Sequence, residues 1–349
     1  MSLYWVYVTL HIKLPFDRCR FETACLVVAV VVLGRLDVTG ATYADDSGSS
    51  AIPLAVAFLT REVPQWHASN NCYSCHNNAD AVRALEAARR RGYDVPDTAL
   101  SDSRRWLHHV GDWRHNGGEG EFNDYELAAI QFASALTTVA IPSDPDQPVG
   151  ADSLAAIRSA AQRVASFQRN DGSWMTGPGS SIGSPATYGP VLATATAASI
   201  LTAAGDPALQ TALERSKGWL NHVQPRTVFD AAAILHARSH LGYEVPPAQL
   251  RSCIKLLKAG HHSDGGWGPY VNSMSEPFDT ALVLLALDSL PRDRQVADWM
   301  AAGRLYLLGT QYNDGSWPET TRPAGRESYA QQMSTTAWVT LALLSTQTE

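Results

Sequence analysis

Gln311-Tyr312-Asn313-Asp314-Gly315-Ser316-Trp317 has a twin earlier in the chain, Gln168-Arg169-Asn170-Asp171-Gly172-Ser173-Trp174, and a variant, His261-His262-Ser263-Asp264-Gly265-Gly266-Trp267. The spacing from Gln or His to Trp is the same in all three. Asp-Gly supplies a tight turn whose glycine can take positive φ. The tryptophan then packs a large flat surface between neighbouring units while its N–H finds an acceptor. A turn repeated in this way implies a repeated supersecondary unit around it.

A second repetition sets the period. A shift of 150 residues, from 80 to 230, lays Asp80-Ala81 on Asp230-Ala231, Leu85 on Leu235 and Leu107 on Leu257. It also lays Gly92-Tyr93-Asp94-Val95-Pro96 on Gly242-Tyr243-Glu244-Val245-Pro246. Glycine stops one helix there, and the next starts after proline. Two helix types alternate between these signals. Asn77–Arg91, Tyr125–Ala140, Tyr188–Ala204, Phe229–Leu241, Phe278–Leu290 and Thr335–Thr346 are small and apolar nearly all round, as buried helices are. Ile52–Val63, Thr98–Val110, Leu154–Gln168, Leu209–Val223, Ala248–Ala259 and Arg294–Thr310 are amphipathic and suit an outer layer. The alternation predicts an all-α fold, an (α/α)6 toroid of six helical hairpins closed into a ring. No segment reads as a strand.

The Gly-Trp strings resemble the QW motifs of the squalene-hopene cyclase and prenyltransferase superfamily. Arg304-Leu305-Tyr306-Leu307-Leu308-Gly309-Thr310-Gln311 adds the aromatic and leucine expected upstream of such a motif. The resemblance spans roughly residues 50–349 and implies an α/α toroid; it speaks less to activity. The D-x-D-D acid motif of bacterial triterpene cyclases is absent, the nearest string being Asp144-Pro145-Asp146-Gln147. The Asp/Cys/His zinc set of protein prenyltransferases has no counterpart. Asp80, Asp230 and Asp279 each sit in the first turn of an inner helix, where they complement the helix dipole. In toroids of this kind the working end is the one where the inner helices begin.

Composition bounds the function. The 349 residues carry 27 basic and 34 acidic side chains, a formal charge of -7, with no basic run, which speaks against nucleic-acid binding. With 45% apolar residues the chain can build a sizeable core. Residues 1–44 read as a signal peptide or leader. Ala24–Gly34 is an unbroken apolar stretch preceded by Lys13, Arg18 and Arg20, with Thr42 and Ala44 placed for cleavage before Asp45. A membrane span needs about 20 apolar residues, so this run is too short, and membrane association would follow from an uncleaved leader. Residues 45–349 form the toroid, and the mature chain belongs in the periplasm or is otherwise exported.

Cys72-Tyr73-Ser74-Cys75-His76 is the C-x-x-C-H attachment sequence for one covalent haem c. Two thiols add to the porphyrin vinyl groups, and the next histidine becomes the proximal iron ligand. A dithiol redox pair or half a zinc site competes, but neither has its usual context. Cys253 is a core residue. The repeat lays the haem string on His222–Arg226, a link from an outer to an inner helix. Distal ligand candidates at that end are His115, Met274 and Met175, then Met333, with His67, His222, His261 and His262 nearby. Trp66, Tyr73 and Trp113 are expected to wall the haem, and Arg114, Arg322 and Arg326 to meet its propionates. Three functions follow: an exported electron-transfer haem protein with a redox partner protein, haem-dependent oxidation of an apolar, isoprenoid-like molecule, or a non-redox, cyclase-like binding toroid.

Overall fold

A computed structural model describes residues 46–117, 122, 124–142, 146–177, 182–242, 244–322 and 328–347. The leader, Asp144 and Arg326 lie outside them. Twelve α-helices run in order: α1 (Asp46–Asn70), α2 (Val82–Arg90), α3 (Asp97–His108), α4 (Tyr125–Val139), α5 (Ala151–Ala165), α6 (Gly189–Ala204), α7 (Gln210–His222), α8 (Val228–Leu241), α9 (Pro247–Ala259), α10 (Pro277–Leu287), α11 (Arg294–Gly309) and α12 (Tyr329–Ser345). A π-helical turn, His76–Ala81, leads into α2. No strand occurs among the described residues, and no helix among them is long and apolar enough to cross a membrane.

The even-numbered helices form the inner ring. Each packs on the next, α2 on α4 and so on through α10 on α12, and α12 returns to α2 and the π turn. This closed circuit is the toroid that the alternating patterns predict. Leu85, Ile130, Leu192, Leu235, Leu284 and Val339 are wholly buried. The middle is filled rather than hollow: Trp338 lies edge-on to Tyr188 and Phe278 at 5.9 and 5.7 Å.

The three Gly-Trp loops are built alike. The indole N–H of Trp174, Trp267 and Trp317 donates to the carbonyl of Val164, Leu257 and Leu307 at 2.7, 2.8 and 2.7 Å. The backbone N–H of each tryptophan donates to a threonine on the following inner helix, Thr194, Thr280 or Thr336. Gln168 donates to the Ala212 carbonyl on α7, and Gln311 donates to the Ala51 carbonyl on α1. The last loop thus fastens the ring to its first helix. Gly315 has φ 94°, and a Cβ there would run into the Leu54 carbonyl, so the position requires glycine twice over.

Two helices differ most from their expected bounds. The first was expected to stop at Val63, before Pro64, yet α1 runs on to Asn70 through Pro53 and Pro64. The extra turns deliver Trp66 and His67 to the loop that follows. The last inner helix begins at Tyr329 rather than Thr335, capped by Ser328, whose hydroxyl accepts from Gln331 N–H at 3.3 Å. Its first turns carry polar residues that break the apolar pattern, but Gln331 and Ser334 are buried.

Candidate functional site

The Cys72–His76 segment links α1 to the inner ring, and its two middle residues anchor it. Tyr73 is sandwiched between His67 and Trp106, with ring centroids 4.3 Å away on both sides. Its hydroxyl donates to Asp102 Oδ2 at 3.0 Å, and its N–H donates to the Asn116 carbonyl. Burial and the Asp102 bond push the Tyr73 hydroxyl up to about 12, so it stays protonated. Ser74 Oγ accepts from the N–H groups of His76 and Asn77, both at 3.2 Å. Asn78 accepts from Ser74 N–H at 2.9 Å and donates to Ser103 at 2.7 Å. Loop and helix start are therefore held without using either thiol or the imidazole. The π geometry that follows is a form common at functional sites.

Cys72, Cys75 and His76 open on one cavity of about 1170 Å³. Trp66, Tyr73, Phe122, Leu127 and Phe167 supply its apolar wall, and Asp124, Glu126 and Gln331 are among its polar groups. Burial pushes the Cys75 thiol up, and the charge of Asp80 adds to this, so the thiol is neutral at physiological pH. Burial lowers the pKa of His76 against the opposing charge of Asp80. Burial also raises that of Glu126.

Beneath this wall lies a buried polar hub. Asp80, 0% exposed, accepts from Tyr188 Oη at 2.8 Å, Gln131 Nε2 at 3.0 Å and Ser334 Oγ at 2.5 Å, with Arg83 at 3.5 Å. Ser334 in turn meets His76 Nδ1 at 3.0 Å. Burial holds the Tyr188 hydroxyl far above its ordinary range. The repeat-equivalent Asp230 behaves differently. It lies partly exposed and accepts from Arg226 N–H at 3.0 Å, the helix-start role expected for all three aspartates. Asp279 departs from that role too: Arg322 donates to it at 2.7 Å and to Glu276 at 2.6 Å.

The remaining candidates are scattered. Met175 lines the cavity. Met274 is 82% exposed and Met333 is buried in the core. His115 is exposed at the end of the Val110–Arg114 turn, and its neighbour Asn116 lines the cavity instead. His67 pairs with Asp102 at 3.0 Å. His222 contacts the Gly218 carbonyl in its own helix, and His261 packs 4.5 Å from Trp267. Trp66 and Tyr73 wall the cavity, whereas Trp113 is buried behind it. Arg114 is exposed. Arg322 is bound to Glu276, Asp279 and the Gly183 carbonyl and does not line the cavity. Cys253 is buried in the core. The sequence reading missed Ser334, Gln131 and Tyr188. Their one signal was polarity within apolar inner helices.

No family model and no curated protein matches the chain. Solved structures do. The type II terpene cyclase MstE from Scytonema matches with a TM-score of 0.55 at 17% identity, over 85% of this chain and 98% of that one. A variant of MstE in complex with its substrate geranylgeranyl dihydroxybenzoate matches at 0.54 and 17% identity, over 86% and 97%. ent-Copalyl diphosphate synthase from Streptomyces platensis matches at 0.52 and 18% identity, over 77% and 50%. A polysaccharide lyase matches at 0.54 and 12% identity, over 86% and 97%. The terpene-cyclase-like toroid is thus the fold of this chain, and the fold alone does not choose the reaction.

The electron-transfer cytochrome reading is overturned. The likeness runs to cyclases, one of them solved with an isoprenoid substrate, and to no electron carrier among them. Among the described residues no group of three or more His, Cys, Asp or Glu stands ready to hold a metal ion. Electron transfer and a redox partner protein are therefore withdrawn for this chain.

Proposed function

We propose that this protein binds an uncharged, apolar, isoprenoid-like molecule in the cavity beside Cys72–His76. The observation that carries this is the cavity, about 1170 Å³ with aromatic walls from Trp66, Tyr73, Phe122 and Phe167. That exceeds the usual ligand pocket of about 300–1,000 Å³. The prenylated ligand seen in a structure of the same fold adds support. The lining also selects charge. It holds Asp124 and Glu126 and no lysine or arginine among its described residues, so a diphosphate would meet repulsion instead of a clamp. Farnesol and geranylgeraniol, titrated against intrinsic tryptophan fluorescence, are expected to bind saturably. Farnesyl diphosphate should bind at least about tenfold more weakly. Phe167→Asp should cost at least about tenfold in farnesol affinity, because it sets a charge in the apolar wall. If neither alcohol saturates, the reading fails.

The covalent haem implied by the Cys72–His76 string is proposed for the same wall, as a resident of the cavity. The thiols and the imidazole fit its attachment, while the described lining offers its propionates no cation. Both thiols open on the cavity without pairing to each other, and the Ser334 contact occupies His76 Nδ1, leaving Nε2 for the iron. Cys72 and Cys75 would hold the porphyrin and His76 its iron; when bound, the group supplies an iron centre facing the apolar space. The proposal carries export with it. Produced alongside haem-attachment machinery, the chain should gain the mass of one haem and stain for it after denaturing electrophoresis. Cys72→Ala with Cys75→Ala should lose both signals, and stain surviving in that double variant would dismiss these thiols as the attachment site.

A further inference from the structure

Asp80, Ser334 and His76 form a linear hydrogen-bonded chain that ends at the cavity. Ser334 Oγ lies 2.5 Å from Asp80 Oδ2 and 3.0 Å from His76 Nδ1. Both Asp80 and Ser334 are 0% exposed, so water does not compete for these bonds. Proton counting fixes the direction. Tyr188, Gln131 and Arg83 also aim donors at Asp80, so its carboxyl oxygens serve as acceptors throughout the hub. The single hydroxyl proton of Ser334 therefore goes to Asp80. Ser334 Oγ is left as an acceptor, so His76 must carry its proton on Nδ1. Nε2 is then the bare nitrogen, on a side chain that lines the cavity.

We propose that Ser334 and Asp80 are positioning residues that lock His76 in the Nδ1–H tautomer and present its Nε2 to the cavity as a neutral donor for haem iron. A histidine ligand commonly takes its orientation and basicity from the partner of its other nitrogen. Here that partner comes from α12, and a buried carboxylate at the start of the inner ring backs it. The role as an iron donor rests on the haem reading above; the tautomer lock does not.

The experiment separates the two. Full-length haem-free protein labelled with [15N]histidine is studied by long-range 1H–15N correlation, the His76 signals being assigned by their loss in His76→Gln. The expected spectrum has a protonated Nδ1 and an unprotonated Nε2. Ser334→Ala should give a mixture of tautomers, and Ser334→Thr should restore the single form. Asp80→Asn is the sharper variant. Its amide can donate to Ser334, and Gln131 can turn its unpartnered Oε1 toward the same amide. The Ser334 proton is then released to His76 Nδ1, and the tautomer should invert to Nε2–H. A purely structural Asp80 would leave the tautomer unchanged. A wild-type spectrum with Nε2 protonated, or no change in either variant, overturns the proposal. In haem-loaded protein, Ser334→Ala should lower the ferrous Fe–His stretching frequency in resonance Raman spectra. If no haem attaches to the wild-type chain, the iron role falls and the haem-free spectra still decide the lock.

Discussion

Arg322→Ala is expected to lower stability by about 3–5 kcal/mol, the range for breaking a buried ion pair by removing one partner. Arg322 donates to Glu276 Oε2 at 2.6 Å, Asp279 Oδ1 at 2.7 Å and the Gly183 carbonyl at 2.7 Å. Its side chain is 10% exposed, and that of Asp279 is 1% exposed. The guanidinium also lies 5.9 and 6.0 Å from the ring centres of Phe229 and Phe278. Alanine would leave two carboxylates facing each other in a dry site. The loss depends on pH. Burial raises the Asp279 pKa from 3.8 to about 7, against the pull of Arg322 and with help from Glu276. An acid whose folded pKa lies above its unfolded value contributes stability in full below the unfolded value. That stability is lost as pH rises through the folded one. Wild-type stability should therefore fall between about pH 4 and pH 7, by at most about 1.4 kcal/mol per unit from this group. Asp279→Asn should flatten that fall, and Arg322→Ala should cost more at pH 8 than at pH 5. Urea unfolding at the two pH values reads both effects; equal losses for Arg322→Ala would sink this assignment.

The second large effect is expected at Asp80. Asp80→Ala removes the acceptor for Tyr188, Gln131, Ser334 and Arg83 together. Tyr188 loses its acceptor, while Gln131 keeps only the Pro185 carbonyl at 3.4 Å and Ser334 only His76, and the expected cost is about 3–5 kcal/mol. Asp230→Ala, at the position one repeat period away, should cost about 1 kcal/mol, since it loses one partly exposed bond at a helix start. The same urea experiment compares them. Matching losses at the two sites would mean that the hub carries no more than an ordinary helix cap.

That contrast marks how far the sequence could be read. The Gly-Trp loops and the Gly-Tyr-Asp/Glu-Val-Pro links are local: each sets a turn from its own residues, so the ring was legible from them. The structure gives Gly92 and Gly242 positive φ, and Pro96 and Pro246 precede α3 and α9. Asp80 and Asp230 look equivalent in the repeat, and only their neighbours distinguish them. Tyr188 lies 108 residues from Asp80 and Ser334 lies 254, separations that no local pattern spans. The polar run Ser334-Thr335-Thr336 inside an apolar helix was the available clue. Cys72, Cys75 and His76 were legible as a string, but the cavity they face is assembled from loops that follow α1, α3 and α5 and from the start of α12. Met274 carried no mark in the sequence that it points into solvent.

The bond from Gln311 to Ala51, with α12 packed against α2, has a thermodynamic consequence. Open arrays of repeats melt from their ends, because a terminal unit has one neighbour and gives up one interface when it leaves. In this chain no hairpin is terminal. Detaching any of the six severs two interfaces at once, and the protection against fraying that a linear array needs from special end units comes here from the circle itself.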